Sequence, residues 1–225
     1  MRLALISDVH SNLPALEVVL EATEEAGAER VLNAGDIVGY NPYPNEVVSL
    51  LQSRGVASIQ GNHDRAALSG DASWFNPYAA RAIDWTRRQL DTASERFLAG
   101  LPIELDTNSA DTTIRLVHGS PADPDEYVFP HQADADLLRL AGTEVLVMGH
   151  THVPFVKKTK DGLLLNPGSV GQPRDGDPRA SWAVLDLPEG DAELRRSTYD
   201  VEAIHEKILR ANLPRFLAER LLIGR

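Results

Sequence analysis

Val31-Leu32-Asn33-Ala34-Gly35-Asp36 runs from apolar, strand-like residues through a small-residue turn to a carboxylate. A buried parallel strand ending this way puts its acid at the carboxyl edge of a sheet, where the sites of open α/β folds gather. The same grammar recurs along the chain. Arg2 to Ser7 leads into Asp8-Val9-His10, Val56 to Gln60 into Gly61-Asn62-His63-Asp64, and Thr112 to Val117 into His118-Gly119. Val145-Leu146-Val147-Met148 leads into Gly149-His150-Thr151-His152. Five of the seven histidines fall in these motifs, and His131 and His205 read as surface residues. Gly-Asp alone is ordinary turn chemistry. Five such motifs, each closing an apolar run, form a constellation. In extended chain Asp8 and His10, two residues apart, point to one side.

The segments between these motifs supply helices. Ser11 or Asn12 is placed to cap the first, with Pro14 in its first turn, Leu13, Leu16, Val19 and Leu20 as its stripe and Gly27 as its stop. Asn45 is placed to cap a second helix that ends at Gly55. Residues 65–100 change character, being rich in Ala and Arg and carrying Trp74, Phe75, Tyr78 and Trp85; two or three helices are expected there. Strands resume at about 102–107 and 112–117, followed by a loop at 121–132 and a helix near 133–141. Short strands near 153–157, 163–166, 180–187 and 192–199 read as an antiparallel series, and helices at 201–211 and 214–222 close the chain. The expectation is one α/β domain over 1–225, with a helical insertion at about 65–100 and a helical tail at about 201–225.

Composition narrows the chemistry. With 43% apolar and 24% charged residues the chain is globular in character. A formal net charge of −11 disfavours duplex nucleic acid, since a polyanion gains nothing from an acidic surface. A small phosphorylated molecule stays compatible, because bound metal reverses the local sign. Cysteine is absent, so any metal must sit on imidazole and oxygen donors, which suits manganese, iron, nickel or zinc over copper(I). The first apolar run, Leu3 to Ile6, is far short of a signal segment or a membrane span; a cytoplasmic location without a membrane partner is expected. The amphipathic stretch with Phe216, Leu217, Leu221 and Leu222 suits packing on its own domain or a homo-oligomer contact.

The ordered set Asp8-x-His10, Gly35-Asp36, Gly61-Asn62-His63-Asp64, His118 and Gly149-His150-x-His152 resembles the calcineurin-like metallophosphoesterase superfamily over residues 3 to about 187. Asn166-Pro167-Gly168-Ser169 is similar to a segment of its small prokaryotic phosphodiesterase branch. The resemblance implies a four-layer α-β-β-α sandwich with two mixed central sheets. It also implies two divalent ions, manganese favoured, with iron, nickel, zinc or magnesium as alternatives. Asp8, His10, Asp36 and His152 would hold one ion, and Asp36, Asn62, His118 and His150 the other. Such a pair, roughly 3.5–4 Å apart, shares a hydroxide that attacks phosphorus in line. His63 would stand near the leaving oxygen as general acid or charge stabiliser.

The phosphoprotein phosphatase branch continues its Gly-Asp motif with a second Asp and an Arg. Here Ile37-Val38-Gly39-Tyr40 follows instead, which argues against phosphoprotein substrates and for small phosphodiesters, nucleotides or cyclic nucleotides among them. Tyr40, Tyr43, Trp74, Phe75 and Tyr78 are candidates for a base-stacking ring. Arg174 is a candidate for a two-pronged phosphate contact, set against a simple ion pair with Asp175. The alternatives are a phosphomonoesterase or phosphoprotein phosphatase, and a DNA-repair nuclease, which would carry a further domain and a basic surface. A third is a protein-binding scaffold on the same fold, as in the superfamily's retromer subunit, which loss of ligands would favour.

Overall fold

The computed structural model describes residues 1–225. Strands β1 (Arg2–Ile6) and β2 (Arg30–Asn33) pair in parallel, with Ile6 opposite Asn33, and α1 (Leu13–Glu25) connects them. Asn12 caps α1 by accepting the Ala15 N–H. Helix α2 (Pro44–Ser53) leads to β3, only Ala57–Ser58, which lies parallel to β2. The helix starts one residue before Asn45, because Pro44 supplies a pre-set first turn. Asn45 is therefore not the cap. Its side-chain amide donates to the Gln89 carbonyl and accepts the Asp91 N–H, joining α2 to the helices beyond.

Three helices follow, α3 (Asn62–Ser69), α4 (Pro77–Gln89) and α5 (Thr92–Ala99). Next come β4 (Glu104–Ser109), β5 (Thr112–Val117), α6 (Ala135–Ala141) and β6 (Val145–Val147). The chain ends with β7 (Phe155–Thr159), β8 (Gly162–Asn166), β9 (Ala180–Asp186), β10 (Asp191–Ser197), α7 (Val201–Arg210) and α8 (Arg215–Leu221).

Two mixed five-stranded sheets result, ordered β10-β9-β1-β2-β3 and β4-β5-β6-β8-β7. The last four strands are not one antiparallel series. β7 and β8 form a hairpin whose second strand joins β6 in parallel, whereas β9 pairs antiparallel with β1 in the other sheet and carries β10 at the edge. Burial explains the division. Leu163 to Leu165 and Ala180 to Leu185 are buried throughout and take interior places, and β10, with Glu193, Arg195 and Arg196, is charged as an edge strand should be.

The sheets face each other. Leu3 and Leu5 of β1 point into a core shared with Ile114, Val145, Leu163 and Leu165, while Ala4 and Ile6 point the other way into a core under α1, α2, α7 and α8. A third cluster, with Leu138 and Leu146, lies beneath α6. The period-two alternation of a strand buried on both faces thus builds the layers helix, sheet, sheet, helix. The carboxyl ends of β1 and β2 open on Asp8 and Asp36, and those of β5 and β6 on His118 and His150. The two ends meet where the His118 imidazole hydrogen-bonds the Ala34 carbonyl across the sheets, Nδ1 to O 2.8 Å.

Candidate metal centre

Past the strands the backbone turns left-handed. Asp8, His10, Asp36, His150 and His152 all have φ between 48° and 67°. Asp8 and His10 do not extend β1, so it is these turns, not strand alternation, that aim their side chains. A left-handed non-glycine residue costs on the order of 1–2 kcal/mol. The loops are over-determined by main-chain hydrogen bonds that hold them there. Asp8, His10 and Ser11 donate to the carbonyls of Gly35, Asp36 and Ile37 at 2.9–3.0 Å, and Gly171 donates to Asp8 at 3.0 Å.

Two overlapping groups of donors converge. Asp8, His10, Asp36 and His152 form one and Asp36, His118 and His150 the other, each with donor atoms within 4.8 Å of one another. Asn62 joins the second, its Oδ1 3.0 Å from His118 Nε2. Asp36 Oδ2 is 3.5 Å from His10 Nε2 and 3.5 Å from His118 Nε2, so one oxygen serves both groups. The other, Oδ1, accepts the His63 N–H at 2.8 Å.

The protons decide what this arrangement can hold. His10, His118 and His152 each present Nδ1 to a main-chain carbonyl, of Val38, Ala34 and Gln172. A ring that donates from Nδ1 leaves Nε2 as a bare lone pair. His10 Nε2 and His152 Nε2 then face each other at 3.1 Å with no proton to share, whereas His118 Nε2, 3.0 Å from the Asn62 oxygen, holds a proton that a cation would displace. Asp8 Oδ1 is buried without a hydrogen-bond donor, 3.1 Å from His152 Nε2. Lone pairs set against lone pairs in a buried place are what a cation satisfies. The donors fit divalent metal. His150 is arranged the other way, hydrogen-bonded through Nε2 to the Asp125 carbonyl, which leaves Nδ1 facing the group.

Charge agrees with that fit. Burial alone would favour protonated acids, but the surrounding imidazoles, His152 and His10 at Asp8 and His118 and His63 at Asp36, hold both carboxyls well below the ordinary range. Burial lowers His152 to about 3 and His150 to about 4, helped by Arg174 and His118 respectively. His118 is the exception. Burial works against its charge, yet Asp36 and then Asp8 lift it to about 9.

His63 opens α3 beside this centre. Its ring lies 4.4 Å from Tyr40, 4.7 Å from His10 and 4.9 Å from Phe75, centroid to centroid. Burial holds it neutral, with a pKa well below the ordinary value, and its Nδ1 has no partner. Gly39 makes room, since a Cβ there would come within 2.6 Å of that nitrogen.

The bracing residues were less visible in the sequence. Asp64 accepts the N–H groups of Gly61, Ile37 and Val38, fastening the Asp36 loop to the start of α3. The only local hint is its place in the first turn of a helix. Burial and then Asp36 raise it to about 6. Asn166 donates to the Gly149 carbonyl and to Thr151, and Ser169 to the Asp8 carbonyl, so the Asn-Pro-Gly-Ser segment steadies two donor loops.

A cleft of about 690 Å³ opens over the centre. Trp74, 86% exposed, and Tyr127, whose ring stacks on His150 at 3.9 Å, are among its walls. Of the expected aromatic ring, Tyr40, Trp74 and Phe75 line the cleft; Tyr43 and Tyr78 do not. Tyr43 lies under Lys207 and Tyr78 stacks on Phe216. Arg174 reaches the cleft, hydrogen-bonded to the Tyr40 hydroxyl at 3.1 Å. It makes no ion pair with Asp175, which is taken by Arg196.

Fold and donors together define a metal-dependent phosphoesterase. The calcineurin-like phosphoesterase superfamily domain model matches residues 1–190, and the chain belongs to that family. It is 37% identical to an uncharacterised protein of Methanocaldococcus jannaschii, MJ0912, over 99% of this chain and 98% of that one. It is 29% identical to the phosphodiesterase YfcE of Escherichia coli over 83% of this chain and 88% of that one. The crystal structure of a metallophosphoesterase from Sphaerobacter thermophilus superposes with a TM-score of 0.84 at 36% identity, covering 100% of both chains. No helix is long and apolar enough to cross a membrane.

Proposed function

We propose that this phosphoesterase hydrolyses small phosphodiesters with two divalent ions, manganese foremost. Asp8, His10, Asp36 and His152 hold one ion and Asp36, Asn62, His118 and His150 the other. The observation that carries the reading is Asp36 Oδ2, equidistant from an imidazole of each group. Ions bound there supply Lewis acidity toward water and the phosphoryl oxygens.

The chain's own residues do the rest. Asp8 and Asp36 bring the negative charge that retains the ions, and the Nδ1 hydrogen bonds keep the rings in the ligating tautomer. His63 stands at the leaving oxygen; neutral in the metal-free centre, it offers its ring N–H as a hydrogen bond, and it donates a proton only from the imidazolium that the charge of a bound phosphate would favour. Arg174 contacts a substrate phosphate, and Trp74 and Tyr127 give a flat group such as a nucleobase two faces to lie against. Preference for diesters rests on the likeness to a phosphodiesterase and on the stretch after Gly35-Asp36, where Ile37-Val38-Gly39-Tyr40 lacks the second Asp and the Arg of the phosphoprotein phosphatases.

The test is metal content together with rates on a panel of mono- and diesters. Bis(p-nitrophenyl) phosphate with added manganese should be turned over faster than p-nitrophenyl phosphate or a phosphopeptide. Efficient phosphopeptide dephosphorylation with no diesterase activity under any metal would overturn the proposal.

A further inference from the structure

The C-terminal helix contributes a residue to the cleft that nothing in the local sequence announces. Arg220, on the last turn of α8, lines the same cavity as His63 and Arg174. It is held in place. Leu217, Ala218 and Leu221 bury the inner face of α8 in the core, and Phe216 stacks on Tyr78 of α4 at 4.7 Å. Just beyond the helix, the Gly224 carbonyl accepts the Gly176 N–H at 2.9 Å. That bond fastens the end of α8 to the loop that carries Arg174. Two guanidinium groups are thereby brought to one cleft.

Neither is paired with an Asp or Glu side chain. Arg174 donates to the Tyr40 hydroxyl and its Nε is buried without a partner; Arg220 packs on the Phe216 ring and donates from Nε to the main-chain oxygen of Arg225. No Asp or Glu side chain pairs with either, although the nearby Arg65 and Arg196 have found Asp125 and Asp175. Burial and then the charge of Arg174 lower the pKa of Arg220, as expected of two cations sharing a partly desolvated place. Two partly buried guanidinium groups without an Asp or Glu partner, lining one cleft, call for an anion, and their planar forks suit phosphate.

The pair is also graded in depth. Arg174 lies against the donor centre: its main-chain N–H donates to the His152 carbonyl at 3.2 Å and its side chain to the Tyr40 hydroxyl, and the Tyr40 ring is 4.4 Å from that of His63. Arg220 lies over the Phe216 ring, which is 46% exposed and stacks on Tyr78, a residue that does not line the cleft. Arg220 thus belongs to the outer part of the cleft, beyond the phosphoryl group that the donor centre would engage.

We infer that Arg174 and Arg220 form a second anion site, which selects substrates carrying another phosphate next to the one engaged at the donor centre. Nucleoside diphosphates and their esters are the class that fits. The inference rests on the reading of the donor centre as the place where the first phosphate binds.

Binding, which needs no turnover, tests it. Calorimetry on manganese-loaded protein at fixed free Mn²⁺ compares AMP with α,β-methylene-ADP, which share a nucleoside and differ by one phosphate. The parent should bind the diphosphate analogue at least about tenfold more tightly, as a charge-assisted contact implies. Arg220→Gln should erase most of that advantage and Arg220→Lys retain part of it. Arg215→Gln, an equal change of charge on the outer face of α8, should retain it all, since Arg215 pairs with Glu219. An advantage undiminished in Arg220→Gln, or none in the parent, would overturn the inference. Diester hydrolysis is assayed on the same samples. An Arg220-dependent advantage without diesterase activity would leave the second site standing and remove the proposed activity; diesterase activity without the advantage would do the reverse.

Discussion

The two donor groups share Asp36 and otherwise live in different surroundings. In the first, Asp8 and His10 have no exposed surface and His152 has 2%, and the lone pairs of His10 and His152 meet at 3.1 Å. In the second, Asn62 is half-buried, His150 reaches the cleft, and the exposed Tyr127 forms its lid. One group is a closed coordination place built into the sheet edge. The other is an open place facing the cleft. A closed, pre-formed donor set retains an ion well, and an open one leaves positions for a reactant. The difference teaches how one carboxylate could serve two tasks: on the proposed function, Asp36 would tie a structural anchor to a working face.

The hardest blow to this picture is Asp36→Asn. Losing the shared charge should empty both groups and cost several kcal/mol of transition-state stabilisation, on the order of 10³-fold in kcat/KM. Elemental analysis beside a bis(p-nitrophenyl) phosphate assay checks both, and two ions retained at full occupancy would break the link between the groups. Next in size is His63→Ala. It should cost about 10²–10⁴-fold on esters with an alkoxide leaving group and less on p-nitrophenyl esters, whose leaving group hardly needs a proton. Metal content should stay unchanged; equal losses on both esters would mean charge stabilisation instead of proton donation.

The contrast itself is sharpened by His152→Ala and His150→Ala. Each should weaken its own group by at least the 10–100-fold that loss of even an outer-shell partner costs. The parent and His150→Ala should keep one tightly held ion through dialysis against a weak chelator, whereas His152→Ala should not. The smallest effect is on pH. Below about 9 the metal-free centre carries a proton on His118, and a cation must displace it. Affinity at the open group should therefore rise about tenfold per pH unit up to that value and level off above it. Competition against a chelator of known pH dependence at pH 6, 7 and 8 measures the slope; a flat profile would place the proton elsewhere.

Much of this was legible before any coordinates. Strands buried on both faces read as unbroken apolar runs, so their ends, and the acids and imidazoles placed there, could be found at Asp8, Asp36, His118 and His150. The aim of those side chains could not. It depends on left-handed turns at non-glycine residues, which local propensity opposes and main-chain bonds to Gly35, Ile37 and Gly171 impose. The partners of the late strands were hidden for a similar reason. β8 and β9 are both short and apolar, and only the free edges of β6 and β1 decide which sheet each joins. Arg220 had no signal at all, because a residue on an amphipathic tail gains meaning only when Gly176 and Gly224 bring that tail to the cleft.

The lacing of the donor loops has a consequence for how the molecule assembles. Asp8 is bonded through its main chain to Gly35 and Gly171, and its carboxylate to the N–H of His150. Neither donor group exists until segments more than a hundred residues apart have docked. Contacts of that separation form late, since the loops they close are long. A divalent ion therefore has nothing to grip in the early collapsed chain. Bound at the proposed centre, it would lock the finished structure, slowing unfolding while leaving the refolding rate almost untouched.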